Sequence, residues 1–205
     1  MTIPNKLTVS RLILSPLFFL CFFLPVWLDG ITQTDWLSLP LVIVLSVLFL
    51  CIEISDLVDG IIARSRNLVT DIGKLLDPFA DVMSRMTYFI CFTIYGIMPA
   101  WIFIVLFYRE LGIIFIRLLL FREGIALAAR KGGKIKATFY AMSGGAGIIA
   151  FSLQRLGAQE RVQEVWHYLT ISVFLIALLL SVVSFLEYFL MFRKEYMRIH
   201  KKKAD

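Results

Sequence analysis

The sequence predicts an all-α integral membrane protein with six transmembrane helices and an active site in a cytosol-facing intramembrane cavity. Hydrophobic residues make up 60% of the 205, with 18 phenylalanines and a mean hydropathy of +0.83, a composition that no water-facing surface absorbs. Six apolar stretches approach the roughly 20 residues needed to cross a bilayer. Lys and Arg gather at alternate ends of those stretches, as expected of a chain threaded back and forth.

The first span is expected over residues 7–28, a retained helix rather than a signal peptide because it stays bulky throughout and lacks a small-residue cleavage site. Pro16 and Pro25 lie inside it and can kink it. Spans two and three are expected over 37–62 and 75–98, joined by a short basic turn. Span four covers 101–121, after a tight turn at 95–99. Residues 123–136 read as a longer basic connection. Span five, 137–153, carries Ser143, Gly144, Gly145, Ala146 and Gly147, small residues that permit close helix contact. Span six, 165–192, is followed by a tail ending HKKKAD, read as solvated or lying on the lipid surface. The spans leave no room for a separate soluble domain, so residues 1–205 are expected to form a single membrane domain.

Lys6 and Arg11, then Arg64, Arg66 and Lys74, then Arg122 to Lys136, then Arg193 to Lys203 lie on one side; Arg155 and Arg161 are the only basic residues of the opposite loops. Both termini are therefore expected in the cytoplasm, in a bacterial inner membrane. A net charge of +6 and a pI near 9.3 point to anionic lipid headgroups rather than nucleic acid, because the charges sit at helix ends. Cys21, Cys51 and Cys91 fall singly in three spans, without metal-ligand spacing, and read as packing residues.

The informative stretch runs from Asp56 to Asp81. A carboxylate in a bilayer costs about 2.5 to 3.5 kcal/mol on insertion scales, so such residues mark function. At about 100° per residue, Asp56, Asp59, Gly60, Ala63 and Arg64 share an arc of roughly 140° on one helix, and Gly73, Asp77 and Asp81 an arc of about 80° on the next. A short turn makes the two helices antiparallel neighbours, so two acidic faces can meet. Converging carboxylates stay ionised only with a compensating cation. All-oxygen ligation without His or Cys suits Mg²⁺, Mn²⁺ or Ca²⁺. Gly60 and Ala63 leave room for a ligand against the backbone, Arg64 offers a fork for a diphosphate, and Asp81 is placed to bind metal or take a proton.

The pattern D-x2-D-G-x2-A-R-x8-G-x3-D-x3-D, matched here at Asp56, Asp59, Gly60, Ala63, Arg64, Gly73, Asp77 and Asp81, resembles the signature of the CDP-alcohol phosphotransferases. The resemblance implies a six-helix membrane enzyme, usually a homodimer, that transfers a substituted phosphate from a CDP-linked donor to an alcohol and releases CMP. It implies that Asp56, Asp59 and Asp77 bind two metal ions, Mg²⁺ or Mn²⁺, and that Asp81 contacts metal and acts as the base. Gly60, Ala63, Arg64 and Gly73 would shape the CDP pocket.

A second layer is similar to the phosphatidylglycerophosphate synthase branch of that family, which joins CDP-diacylglycerol to sn-glycerol 3-phosphate. It comprises Pro4, Asn5, Thr8 and Arg11 before span one, Arg109, Glu110 and Arg117 in span four, and Gly133, Lys134 and Lys136 at the entrance of span five. Asn5 and Thr8 would then serve the CDP donor. Arg109, Arg117, Lys134 and Lys136 would serve the acceptor phosphate, since a phosphorylated acceptor needs cations beyond the one on the donor diphosphate. Val82 and Ala137 stand where that branch often has lysine and threonine, which bears on the acceptor and not on the reaction.

Alternatives stand beside these roles. Arg109 and Arg117 either bind the acceptor or are held by a buried acid such as Glu110; Lys134 and Lys136 either bind it or are solvated charges. Glu53 shares the Asp56 face and can bond the acidic cluster or the span-four arginines. Glu187 and His167 read as structural or interfacial. The acceptor could instead be inositol phosphate, inositol, serine or another alcohol. A reading of another class, an ion-coupled transporter, uses the acids as a cation relay.

Overall fold

The computed structural model describes residues 3–28, 37–65, 71–123 and 131–204; among these, side chains are described except at 3–5, 59–65, 71–75, 131–134, 195 and 199–204. Among the described residues, six α-helices follow one another: α1 (Ile3–Leu28), α2 (Ser38–Ser65), α3 (Asp71–Ile94), α4 (Ala100–Arg122), α5 (Lys131–Arg155) and α6 (Glu160–Ala204). The expected spans map onto them in order.

The helices outrun their apolar stretches. α1 starts at Ile3, so the segment expected to precede it is its first two turns, and α5 starts at Lys131, so Lys134 and Lys136 lie within the helix rather than at its entrance. The basic connection expected to reach residue 136 therefore ends earlier. The helix of α6 continues to Ala204 for 45 residues, taking in most of the expected tail. Hydropathy marks where a helix can sit in lipid, not where it stops, and Lys, Arg and Glu are good helix formers.

Among the described residues, three helices are long and apolar enough to cross a membrane on length and composition alone, within Lys6–Leu28, Ser38–Val58 and Glu160–Arg198. α3, α4 and α5 each carry interior charges. Apolar side chains such as Leu17, Ile43, Leu57, Phe115, Leu179 and Leu190 are exposed around the outside, a surface suited to lipid and not to water. These features describe a multi-pass membrane protein.

The helices pack α1 on α2 and α3, α3 on α4 and α5, α2 on α5, and α6 on α4 and α5. Aromatic rings fill the centre: Phe22 and Phe151 lie 4.7 Å apart, Tyr88 and Phe89 4.9 Å, and Phe89 and Phe174 5.4 Å. The small-residue patch of α5 faces these rings. A Cβ at Gly144 would stand 2.5 Å from Phe49 of α2, and one at Gly147 would run into Phe92 of α3. Gly96, at φ +78°, turns the chain between α3 and α4 in a conformation that favours glycine. Cys21, Cys51 and Cys91 are free thiols.

Candidate active site

Asp56 of α2 and Asp81 of α3 converge beneath α1, which packs on both helices. Arg11, fully buried on α1, uses one nitrogen for both helices: Nη1 donates to Oδ1 of Asp56 at 2.9 Å and to Oδ1 of Asp81. Thr8, one turn earlier on α1, donates its hydroxyl to Asp77. Ser15, one turn later, meets Ser84 of α3 at 2.9 Å. Thr8, Arg11 and Ser15 recur at intervals of three and four, so one stripe of α1 fastens the acidic helices.

A further cation belongs to this cluster. Nη2 of Arg85 donates to Oδ2 of Asp56 at 3.0 Å. Sequence reasoning passed over Arg85, although it follows Asp81 by four residues and so extends the Asp77 and Asp81 stripe by one more turn. Glu53 of α2 accepts the hydroxyl of Tyr88 at 3.0 Å, a partner outside those the sequence suggested.

A cavity of about 220 Å³ opens beside Asp81. Asp81 and Arg85 form one wall, Arg109, Glu110 and Arg117 of α4 a second, and Lys136 of α5 with Ser184 and Tyr188 of α6 the rest. Glu110 is the hub of that far wall. Its Oε1 accepts from Arg109 Nη1 at 2.7 Å, Lys136 Nζ at 2.7 Å and the Tyr140 hydroxyl at 2.8 Å. Arg109 is held further by the Ser181 carbonyl and the Ser184 hydroxyl of α6, each at 3.0 Å. Arg117 is held differently: its Nη2 reaches the Tyr188 hydroxyl at 3.3 Å, and its guanidinium lies 5.7 Å from the Tyr188 ring centre.

The structure thus gathers Asp56, Asp77, Asp81 and Thr8 at one end, and Arg109, Arg117 and Lys136 round an adjoining cavity. Asn5, Asp59, Gly60, Ala63, Arg64, Gly73 and Lys134 belong to the expected site, but their side chains lie outside those described. Among the described residues, no three Asp, Glu, His or Cys side chains stand close enough to hold one ion. Two carboxylates do converge on one positively charged atom, the Nη1 of Arg11, and an oxygen-only donor set of this kind suits a hard divalent cation.

Asp56 and Asp81 sharing one cation, on two helices beside a cation-lined cavity, is geometry for handling phosphate. A family model described as CDP-alcohol phosphatidyltransferase matches residues 1–191. The chain belongs to the CDP-alcohol phosphatidyltransferase family. It is accordingly a phosphatidyltransferase, an enzyme of phospholipid biosynthesis.

Among its relatives in this family, a Treponema pallidum protein named CDP-diacylglycerol--glycerol-3-phosphate 3-phosphatidyltransferase is 33% identical over 146 residues, covering 69% of this chain and 66% of its own. A Bacillus subtilis protein of the same name is 37% identical over 136 residues, 65% of this chain and 69% of its own. A probable phosphatidylglycerophosphate synthase of Mycobacterium tuberculosis is 27% identical over 186 residues, 91% of this chain and 79% of its own. The chain thus spans about two thirds to four fifths of the length of these phosphatidyltransferases.

Proposed function

We propose that the protein transfers the phosphatidyl group of CDP-diacylglycerol to sn-glycerol 3-phosphate and releases CMP. The observation that carries this reading is the cavity beside Asp81, where Arg85, Arg109, Arg117 and Lys136 converge and Glu110 offsets part of their charge. Cations in such excess suit an acceptor that brings its own phosphate, whereas a neutral alcohol has no use for them. The names of the T. pallidum and B. subtilis relatives support the same acceptor.

In this reading the acceptor hydroxyl attacks the phosphorus that bears the diacylglycerol. A new oxygen–phosphorus bond forms, the bond to the bridging oxygen breaks, and CMP leaves with the electron pair. Asp81 takes the hydroxyl proton. Arg117 and Lys136 hold the acceptor phosphate at the far wall, so its free hydroxyl points back toward Asp81. Asn5 and Thr8 on α1 and Gly60, Ala63, Arg64 and Gly73 on α2 and α3 serve the CDP end, and the diacyl tails enter sideways from the lipid.

Asp56, Asp59, Asp77 and Asp81 would hold two Mg²⁺ or Mn²⁺ ions, which when bound offset the diphosphate charge and that of the departing CMP. We take all six helices as spans with both termini in the cytoplasm, so the cavity opens to the cytosol, in a bacterial inner membrane. The protein works as a homodimer.

The test offers detergent-solubilised protein CDP-diacylglycerol and a panel of alcohols, with and without Mg²⁺, and identifies the lipid product. Metal-dependent CMP release with sn-glycerol 3-phosphate alone is expected. Turnover only with an unphosphorylated alcohol would overturn the acceptor assignment.

A further inference from the structure

Each described arginine of the site is held in place, but not by the same chemistry. Arg11 and Arg85 bond Asp56, and Arg109 bonds Glu110. Their charges are offset where they stand. Arg117 lines the same cavity and forms no ion pair among the described residues; its contact is Tyr188. The Nε of Arg117 is buried and has no hydrogen-bond partner among the described residues, so within them this guanidinium keeps both charge and donor capacity in reserve.

Tyr188 can hold a cation without neutralising it. An aromatic ring attracts a guanidinium through its quadrupole and carries no net charge, and the phenol oxygen accepts one weak bond at 3.3 Å. Tyr188 is itself fixed, at 4% exposed. Its place on α6 follows from packing, since Gly112 of α4 lets Phe185 of α6 come close enough that a Cβ there would stand 3.0 Å from the ring. That approach brings Ser184 to Arg109 and, one turn on, Tyr188 to Arg117.

We propose that Tyr188 is the positioning residue that aims an uncompensated Arg117 at the acceptor phosphate, making α6 a determinant of acceptor selectivity. The inference rests on the proposed phosphorylated acceptor and deepens it. A carboxylate in place of Tyr188 would order Arg117 equally well but cancel the charge the phosphate is to meet. The aromatic ring orders it and leaves the charge available.

The experiment measures KM for sn-glycerol 3-phosphate, KM for CDP-diacylglycerol and kcat for Tyr188→Phe, Tyr188→Leu, Arg117→Gln and the Tyr188→Leu/Arg117→Gln double variant. Tyr188→Leu should raise the acceptor KM about tenfold while kcat and the donor KM stay within about twofold, and Tyr188→Phe, which keeps the ring, should raise it only about two- to threefold. If Tyr188 acts through Arg117, the double variant is no worse than Arg117→Gln alone. The isosteric Phe variant keeps the question open to measurement should the Leu variant fold poorly.

Additive losses, an unchanged acceptor KM in both Tyr188 variants, or equal losses in kcat and both KM values would overturn the inference while leaving the acceptor reading intact. If the wild-type protein uses a different phosphorylated alcohol, the specific acceptor reading falls and the same variants are measured with that alcohol. If it uses only unphosphorylated alcohols, both fall together.

Discussion

Nη2 of Arg85 on α3 lies 3.0 Å from Oδ2 of Asp56 on α2, joining the two acidic helices from the cavity side. Arg11 joins them from the other side through Oδ1 of the same aspartate. Asp56 is thus clamped between cations of α1 and α3, and the facing of the two helices depends on both.

Removing one clamp strands part of that charge. Arg85→Met should destabilise the protein by about 2 to 3 kcal/mol, below the top of the range for broken buried pairs because the Asp56 side chain is 27% exposed. Thermal unfolding in detergent reads this as a midpoint several degrees below wild type. An unshifted midpoint would mean that Arg11 alone suffices.

Asp81 is proposed to take the proton of the attacking hydroxyl, and Asp77 to bind metal. Asp81→Asn should slow CMP release from CDP-diacylglycerol by about 10²- to 10⁴-fold, the usual worth of a positioned base. Chelation should silence the wild-type enzyme and added Mg²⁺ restore it, while no concentration of Mg²⁺ restores Asp77→Asn or Asp81→Asn. Full activity in both variants would remove the roles assigned to them.

Arg109 and Arg117 lie eight residues apart on α4, and substitution should separate them. Arg109 spends its donors on Glu110, Ser181 and Ser184, so Arg109→Gln should show first as a lowered unfolding midpoint. Arg117→Gln should leave the midpoint near wild type and raise the acceptor KM about tenfold or more, the signature of lost binding rather than lost chemistry. The reverse pattern would exchange their roles.

Gly144 and Gly147 let α5 lie against the rings of α2 and α3. Gly147→Ala drives a methyl into the ring of Phe92, which is fully buried. Such overpacking costs about 1 to 3 kcal/mol. Lower thermal stability with unchanged KM values for both substrates is expected, and a midpoint equal to wild type would show that the rings repack freely.

Much of the site was legible before any fold was known. Asp56, Asp77 and Asp81 could be put on two facing helices by counting 100° per residue, and the glycines of α5 by their size. Glu110 was legible as an acid able to hold Arg109, but its hold on Lys136, 26 positions away, was not. Arg85 left a trace in its spacing, four residues beyond Asp81. Tyr188, Ser184 and Ser181 left none, because a hydroxyl in a long apolar helix looks the same whether it faces lipid or a guanidinium. Their partners lie more than 70 positions away.

By itself the sequence determined the helices, the faces that carry charge, and through the Asp56 to Asp81 pattern the reaction class. Each of these depends on local periodicity or on the cost of a charge in lipid, both properties of short stretches of chain. The tertiary structure alone decided which cation meets which acid. Arg109 is consumed by Glu110 while Arg117 is left charged beside Tyr188, and that outcome depends on how closely α4, α5 and α6 approach. Helix periodicity fixes the direction a side chain points from its own axis, but not what stands there to meet it.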